Sequence, residues 1–233
     1  MYCLIPARSG SKRLPMKNQL EIDGKPVLGI TIETLKAMNL FEEIGVSTDS
    51  ETISSIASQY GASVPFLRSR ELSGDEIGTL AVIKDWIVRR NIKDFNSLLY
   101  CVYPFSIFLK KSLIAQANKV IACRKPDSRD IVVFTAKKSP QPIERSFRLG
   151  QDNEPIFSSP ALMKSRTQDF SHAYFDAGQF YAANIKTWLE TEEVLSNAIA
   201  IEIDSLPYID VDYPQDFDNL KLLYSLYYGG RSS

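Results

Sequence analysis

Arg8, Lys12, Arg13 and Lys17 fall within one stretch, Pro6 to Asn18, together with Ser9, Gly10 and Ser11. The stretch follows the apolar run Tyr2-Cys3-Leu4-Ile5-Pro6, which reads as a strand. In an open α/β sheet, the carboxyl end of a strand is where ligands bind. Small residues let backbone N–H groups approach an anion, while arginine and lysine neutralise it. One charge-assisted hydrogen bond to a phosphate contributes on the order of 1.5–3 kcal/mol, so four cations suffice for a triphosphate. The stretch is neither a Walker A sequence nor a G-x-G-x-x-G turn, because Gly24-Lys25 is followed by Pro26 and lacks the upstream glycine. A solvated basic loop would carry the same residue types, and the loop alone leaves both readings open.

The second constellation is Ile209-Asp210-Val211-Asp212-Tyr213-Pro214. Read as the end of a strand over 207–211, it points both carboxylates to one side, with Cα atoms about 6.6 Å apart. Two like charges on one face call for a cation between them. Carboxylate oxygens with no histidine nearby suit Mg²⁺, which uses one or two carboxylates plus substrate phosphates. The alternative is that Asp212 caps a helix starting at Pro214, with Asp216 in its first turn. Taken together, a cationic loop and a carboxylate pair at strand ends are the parts that bind a nucleoside triphosphate with its metal.

The elements that must position these groups alternate. Helical spacing over Val27, Leu28, Ile32, Leu35 and Met38 is followed by a strand at 44–48. Asp49-Ser50 then caps a helix bearing Ile53, Ile56, Ala57 and Tyr60. Further helices are expected at 79–90, around Leu113–Ile121, at 185–193 and at 214–226. Strands are expected at 98–103, 131–135, near 178–182 and 199–203, and at 207–211. This alternation predicts an α/β fold with a mostly parallel sheet, in a single domain over 1–228. Prolines 140, 142, 155 and 160 punctuate a loop-rich insertion. There Phe147, Ile156, Phe157, Leu162 and Met163 point to a buried or partner-facing segment, and residues 229–233 read as a disordered tail.

Composition narrows the function classes. The 233 residues are 44% apolar and 24% charged, with 27 Lys+Arg against 28 Asp+Glu. This balance argues against general nucleic-acid or membrane-surface binding. The longest apolar stretch, Leu98 to Leu109, is broken by Pro104 and too short to span a bilayer. No signal peptide is read at the start, and Cys3, Cys101 and Cys123 form no C-x-x-C pair. A cytoplasmic protein with free thiols is expected. His172 is the lone histidine, which excludes a His-rich metal site, and Trp86 and Trp188 read as core.

Ile5-Pro6-Ala7-Arg8-Ser9-Gly10-Ser11-Lys12-Arg13 with Lys17-Asn18 resembles the signature of the CMP-sialic acid synthetase family. So do Val46-Ser47-Thr48-Asp49-Ser50, Tyr60-Gly61-Ala62, Val64-Pro65-Phe66-Leu67-Arg68 with Glu71-Leu72 and Asp75, and Ile209-Asp210-Val211-Asp212 with Asp216. Arg145-Ser146-Phe147, Arg166-Thr167-Gln168-Asp169 and Asp176-Ala177-Gly178-Gln179-Phe180-Tyr181 resemble its pseudaminic acid cytidylyltransferase branch. The resemblance implies a Rossmann-like nucleotide-diphospho-sugar transferase fold in a homodimer whose insertion, within 139–184, is a sugar-binding and dimerisation arm. The implied reaction takes CTP and a nine-carbon 2-keto sugar acid: the C2 hydroxyl attacks the α-phosphorus and pyrophosphate leaves.

Carried over by position, Arg8, Ser11, Lys12 and Lys17 would hold the triphosphate. Asn18, Arg68 and Thr79 would surround the cytidine, and Asp210 and Asp212 would bind Mg²⁺. Arg166 would face the sugar carboxylate with Arg145 nearby, while Gln179 and Tyr181 would line the sugar pocket. Among these, Arg8, Lys17, Asp210 and Asp212 would be the catalytic set. One departure matters. Tyr103 and Phe105 stand where the sialic acid branch carries the glutamine and threonine of Leu-Gln-Pro-Thr, which argues against N-acetylneuraminate and leaves residues 103–106 without a role. Competing expectations are cytidylyl transfer to legionaminate, N-acetylneuraminate or 3-deoxy-manno-octulosonate, and a CTP-binding domain without turnover.

Overall fold

A computed structural model of the chain describes residues 1–123, 131–203 and 206–229. Six strands form its central sheet: β1 (Tyr2–Pro6), β4 (Glu43–Ser47), β5 (Leu98–Val102), β6 (Val132–Lys138), β9 (Tyr174–Asn184) and β10 (Ala198–Glu202). Their order is β10-β6-β9-β5-β1-β4. β9 runs antiparallel between β5 and β6, and the other strands share one direction. The expected mostly parallel α/β sheet is therefore present.

Alternation along β1 explains its two-sided burial. Cys3 and Ile5 face a core built with α1 (Val27–Met38), α2 (Glu51–Gln59) and α4 (Lys111–Ala122). Leu4 faces the opposite core, where α3 (Thr79–Arg89) and α5 (Ile185–Glu190) deliver the fully buried Trp86 and Trp188. Burying a large apolar side chain stabilises by about 1.5–3 kcal/mol. Gly45 of β4 lets the first indole pack closely, since a Cβ there would come within 2.7 Å of Trp86. The Trp188 indole N–H donates to the Leu99 carbonyl at 3.0 Å, which satisfies its one polar group.

A third cluster sits at the carboxyl ends of the parallel strands. Leu14, Val27, Ile107, Phe108, Val211 and Leu220 are buried together there. It joins the first loop, the turn after β5 and α6 (Pro214–Gly229).

Local chemistry accounts for most boundaries. Ser50 caps α2 by accepting from the Ile53 N–H at 3.3 Å. Asn39 ends α1 in the left-handed region at φ 52°. Asp23 (φ 51°) and Gly24 (φ 75°) turn β2 (Glu21–Ile22) into β3 (Lys25–Pro26) as a two-residue hairpin inside the expected polar loop.

Three expectations need correction. Residues 207–211 form no strand and pair with none of the sheet, so the face argument for the aspartates does not rest on a ladder. The segment, which begins at Pro207, packs onto the third cluster instead. The helix expected at 185–193 stops at Glu190. Gly229 closes α6, and the other residues assigned to a disordered tail lie outside the described residues.

The insertion holds a small hairpin of β7 (Phe147–Leu149) and β8 (Pro155–Phe157), flanked by single helical turns. Its apolar side chains are not buried by this chain: Phe147, Ile156 and Leu162 are all exposed. No helix among the described residues is long and apolar enough to cross a membrane.

Candidate functional site

A cavity of about 830 Å³ opens over the carboxyl ends of β1 and β5. Its first wall is the cationic loop. Arg8, Ser11, Lys12, Lys17 and Asn18 all line it. Asp49, at the end of β4, accepts from the Ser9 backbone N–H at 2.8 Å and the Ser9 hydroxyl at 2.7 Å. The Asn18 amide donates to the Arg8 carbonyl at 2.9 Å and closes the loop on itself. Leu14, only 6% exposed, anchors its middle in the third cluster. These contacts hold four cations over one opening.

The second wall is the aspartate segment. Asp210 and Asp212 line the cavity on either side of Val211, which is 1% exposed and belongs to the same cluster as Leu14. Burial of that valine brings the carboxylates to the cations. Asp212 pairs with Arg13 at 2.8 Å and with Lys17 at 3.4 Å. Lys17 also lies 5.2 Å from the centre of the Phe105 ring.

Asp212 is not the helix cap. Asp216 accepts the Asp212 and Tyr213 backbone N–H groups at 3.0 and 2.8 Å, which leaves the Asp212 carboxylate to the cavity. Partial burial, then the neighbouring Asp212, raises the Asp210 pKa above its ordinary value. Two carboxylates that repel each other in a cationic cleft have the donor chemistry of a Mg²⁺ site. Among the described residues no group of three or more His, Cys, Asp or Glu could hold a metal, so a cation held by this pair would need further ligands from elsewhere.

The third wall comes from β9. Its pairing with β6 shifts register between Phe134 and Ala136, and Gly178 there takes φ 54°. Such a bulge re-aims side chains beside a site. Asp176 accepts the Gly178 N–H at 2.8 Å, and its other oxygen accepts the Tyr181 hydroxyl. Asp176 thus closes an Asx-turn and has a second duty in the cavity wall. Tyr103 shares a 2.6 Å hydrogen bond with Thr79 and meets the Tyr181 ring edge-on at 5.9 Å. Burial pushes the Tyr103 hydroxyl up to about 12, so it remains protonated at neutral pH. The Tyr208 hydroxyl is likewise raised to about 12 by burial and by the charges of Asp210, Asp176 and Asp212.

Gln179 and Arg68 complete the lining and are 4% and 6% exposed. Among the described residues the Arg68 Nε and Nη2 and the Gln179 Oε1 have no hydrogen-bond partner. Buried polar groups of this kind ordinarily meet one.

The loop cations, Asn18, Arg68, Thr79, Gln179, Tyr181 and both aspartates therefore converge on one cavity. Arg145 and Arg166 do not line it. Arg145 donates to the Ser165 carbonyl and lies 5.9 Å from the Phe170 ring centre, and Arg166 is exposed on the arm. Sequence alone gives Asp75, Asp176 and Tyr208 no part in this site and Asp49 only a place at the start of a helix. Asp49 and Asp75 find their partners at Ser9 and at Arg8 and Lys12, far away in the chain, whereas Asp176 bonds within its own neighbourhood to Gly178 and Tyr181.

A family model described as cytidylyltransferase matches residues 2–201. The pseudaminic acid cytidylyltransferase of Campylobacter jejuni is 33% identical over 228 residues, covering 96% of each chain. The CMP-N,N'-diacetyllegionaminic acid synthase of Legionella pneumophila is 32% identical, covering 93% of each. Among solved structures, CMP:2-keto-3-deoxy-manno-octonic acid synthetase complexed with CTP superposes with a TM-score of 0.69 at 15% identity. It covers 97% of this chain and 98% of its own. At that identity the likeness is one of fold.

Proposed function

This chain belongs to the cytidylyltransferase family, and on that premise we propose that it transfers CMP from CTP to pseudaminic acid. The C2 oxygen of the sugar acid forms a bond to the α-phosphorus as the α–β bridging bond breaks, and pyrophosphate leaves with the electron pair. The observation that carries this reading is the convergence of the residue 8–18 cations and the Asp210/Asp212 pair on one cavity.

Nucleotidyl transfer asks a protein chiefly to position groups and stabilise charge. Arg8, Lys12 and Lys17 face the charge that develops on the departing pyrophosphate. Lys17, already balanced against Asp212 at 3.4 Å, sits between the two walls. Arg68 offers buried N–H groups with no acceptor among the described residues, which suit the carbonyl and ring nitrogen of cytosine. Asp210 and Asp212 are the residues that would hold Mg²⁺, and the bound ion would neutralise phosphate oxygens.

On the sugar side, Gln179, Tyr181 and Tyr103 form the wall. Arg145 and Arg166 stand on the arm, outside the cavity of their own chain, and the same arm exposes Phe147 and Ile156. We place these apolar residues against a second copy, so that the working form is a homodimer in which the arm presents Arg166 to the partner's sugar carboxylate. The free cysteines, with Cys3 and Cys101 buried, fit a reducing cytoplasm as the place of reaction.

The test is incubation with CTP, Mg²⁺ and separate nonulosonic acids, reading pyrophosphate release. Release with pseudaminic acid is the expected result. Release only with legionaminate or N-acetylneuraminate overturns the substrate, and no release with any acid overturns the activity.

A further inference from the structure

Asp75 has no part in the reaction described above, yet it touches two groups that do. One of its oxygens meets Arg8 Nη1 at 2.9 Å and the other meets Lys12 Nζ at 2.6 Å. The same Arg8 nitrogen donates to the Gly74 carbonyl at 3.1 Å. Asp75 lines the cavity beside them. Both of its carboxylate oxygens are thus engaged by the cations assigned to the triphosphate.

A phosphate and this carboxylate cannot both hold those cations without bringing two anions together, which costs free energy when water is partly excluded. We infer that Asp75 is a positioning residue that stands in for the triphosphate in the free protein, so that nucleotide entry is an anion exchange in which Asp75 is displaced. This rests on the proposed function only for the assignment of Arg8 and Lys12 to phosphate.

The segment that carries Asp75 is built to move. It runs from Gly74 (φ −65°) to Gly78 (φ −69°), between a single helical turn and α3. A Cβ at Gly74 would meet nothing nearer than 3.7 Å, and one at Gly78 would meet nothing within 4 Å. Neither the local backbone nor crowding demands glycine at either end. What glycine supplies there is torsional freedom on both sides of the carboxylate.

Holding two cations in place has a benefit as well as a cost. Without a partner, Arg8 and Lys12 would repel each other across the loop mouth, and the long Lys12 side chain would lose its position. A carboxylate on a hinged segment keeps them spaced and leaves when a more highly charged anion arrives. Because the pairs are solvent-exposed, the exchange is a modest one and depends on salt.

Inorganic tripolyphosphate is the probe, titrated calorimetrically into the full chain without Mg²⁺ at low ionic strength. Asp75→Asn and Asp75→Ala should bind it roughly three- to tenfold more tightly than the unaltered protein, the combined size of two exposed ion pairs. The gain should shrink in about 0.5 M salt. Glu190→Gln, which removes a surface carboxylate outside the cavity, should bind as the unaltered protein does, and a thermal melt establishes that each variant is folded. Equal or weaker binding by both Asp75 variants overturns the inference, as does failure of every form to bind tripolyphosphate. If tripolyphosphate follows the expected order while CTP fails to bind, the proposed function falls and the anion exchange stands.

Discussion

The loop at residues 8–18 and the arm at 139–170 both carry arginines on irregular backbone, but they are held in opposite ways. The loop is tied from three directions within one chain: Asp49 holds Ser9, Asn18 holds the Arg8 carbonyl, and Leu14 is buried with Val211. The arm turns Phe147, Ile156 and Leu162 outward, and its own rings, Phe147 and Phe157 at 5.4 Å, supply much of its apolar contact. A nucleotide half-site can be complete in a monomer because its groups share a buried cluster. If Arg145 and Arg166 serve the sugar as proposed, their outward-facing arm would need a second copy to do so.

Four variants would break or sharpen that contrast. Asp212→Asn should leave the chain folded and lower kcat/KM by about 10²–10³-fold, the cost of removing one preorganised charge from a transition-state site. Chelation of Mg²⁺ should abolish turnover in the unaltered protein.

Next in size, Arg166→Ala should raise the KM for the sugar acid by roughly 10- to 100-fold, the value of a charge-assisted pair, with the CTP KM unchanged. Mixing Asp212→Asn with Arg166→Ala, at a sugar concentration far below the raised KM so that neither variant turns over alone, then tests the arm directly. If Arg166 serves the partner's site, random reassociation restores about a quarter of wild-type activity, because half the dimers are mixed and each has one intact site. If Arg166 serves its own chain, mixing restores nothing.

Val211→Ala should cost about 1–3 kcal/mol in thermal or denaturant unfolding and raise the CTP KM several-fold, since it loosens the contact that joins the two walls. Smallest in stability is the double variant Phe147→Ser/Ile156→Ser. It should change the unfolding free energy of one chain by no more than about 0.5 kcal/mol, yet convert dimer to monomer by sedimentation and depress sugar turnover. A monomer with full activity would overturn the division between loop and arm.

Much of this was legible in sequence where one residue type has one strong reason to be present. The alternation of Cys3, Leu4 and Ile5, the spacing of α1 and the Ser50 cap followed local rules. The two tryptophans proved fully buried. The third sheet neighbour was harder. β9 reads as an ordinary apolar strand, and only its pairing with β5 and β6 reveals that it runs antiparallel. The run at 207–211 carries strand-like residues but pairs with no strand of the sheet, and a strand requires a partner for its backbone N–H and C=O groups. Asp75 was quoted in the sequence resemblance without a role, because its partners are more than sixty residues away along the chain.

The sequence by itself determined the kinds of groups available: four cations after the first strand, a carboxylate pair near the end, and alternating elements that form an α/β sheet. Residue type and local periodicity fix those. Only the tertiary structure decided that the groups meet. Leu14 and Val211, nearly 200 positions apart, bring their charged neighbours together because both are buried in one apolar cluster, and burial acts through space regardless of separation along the chain.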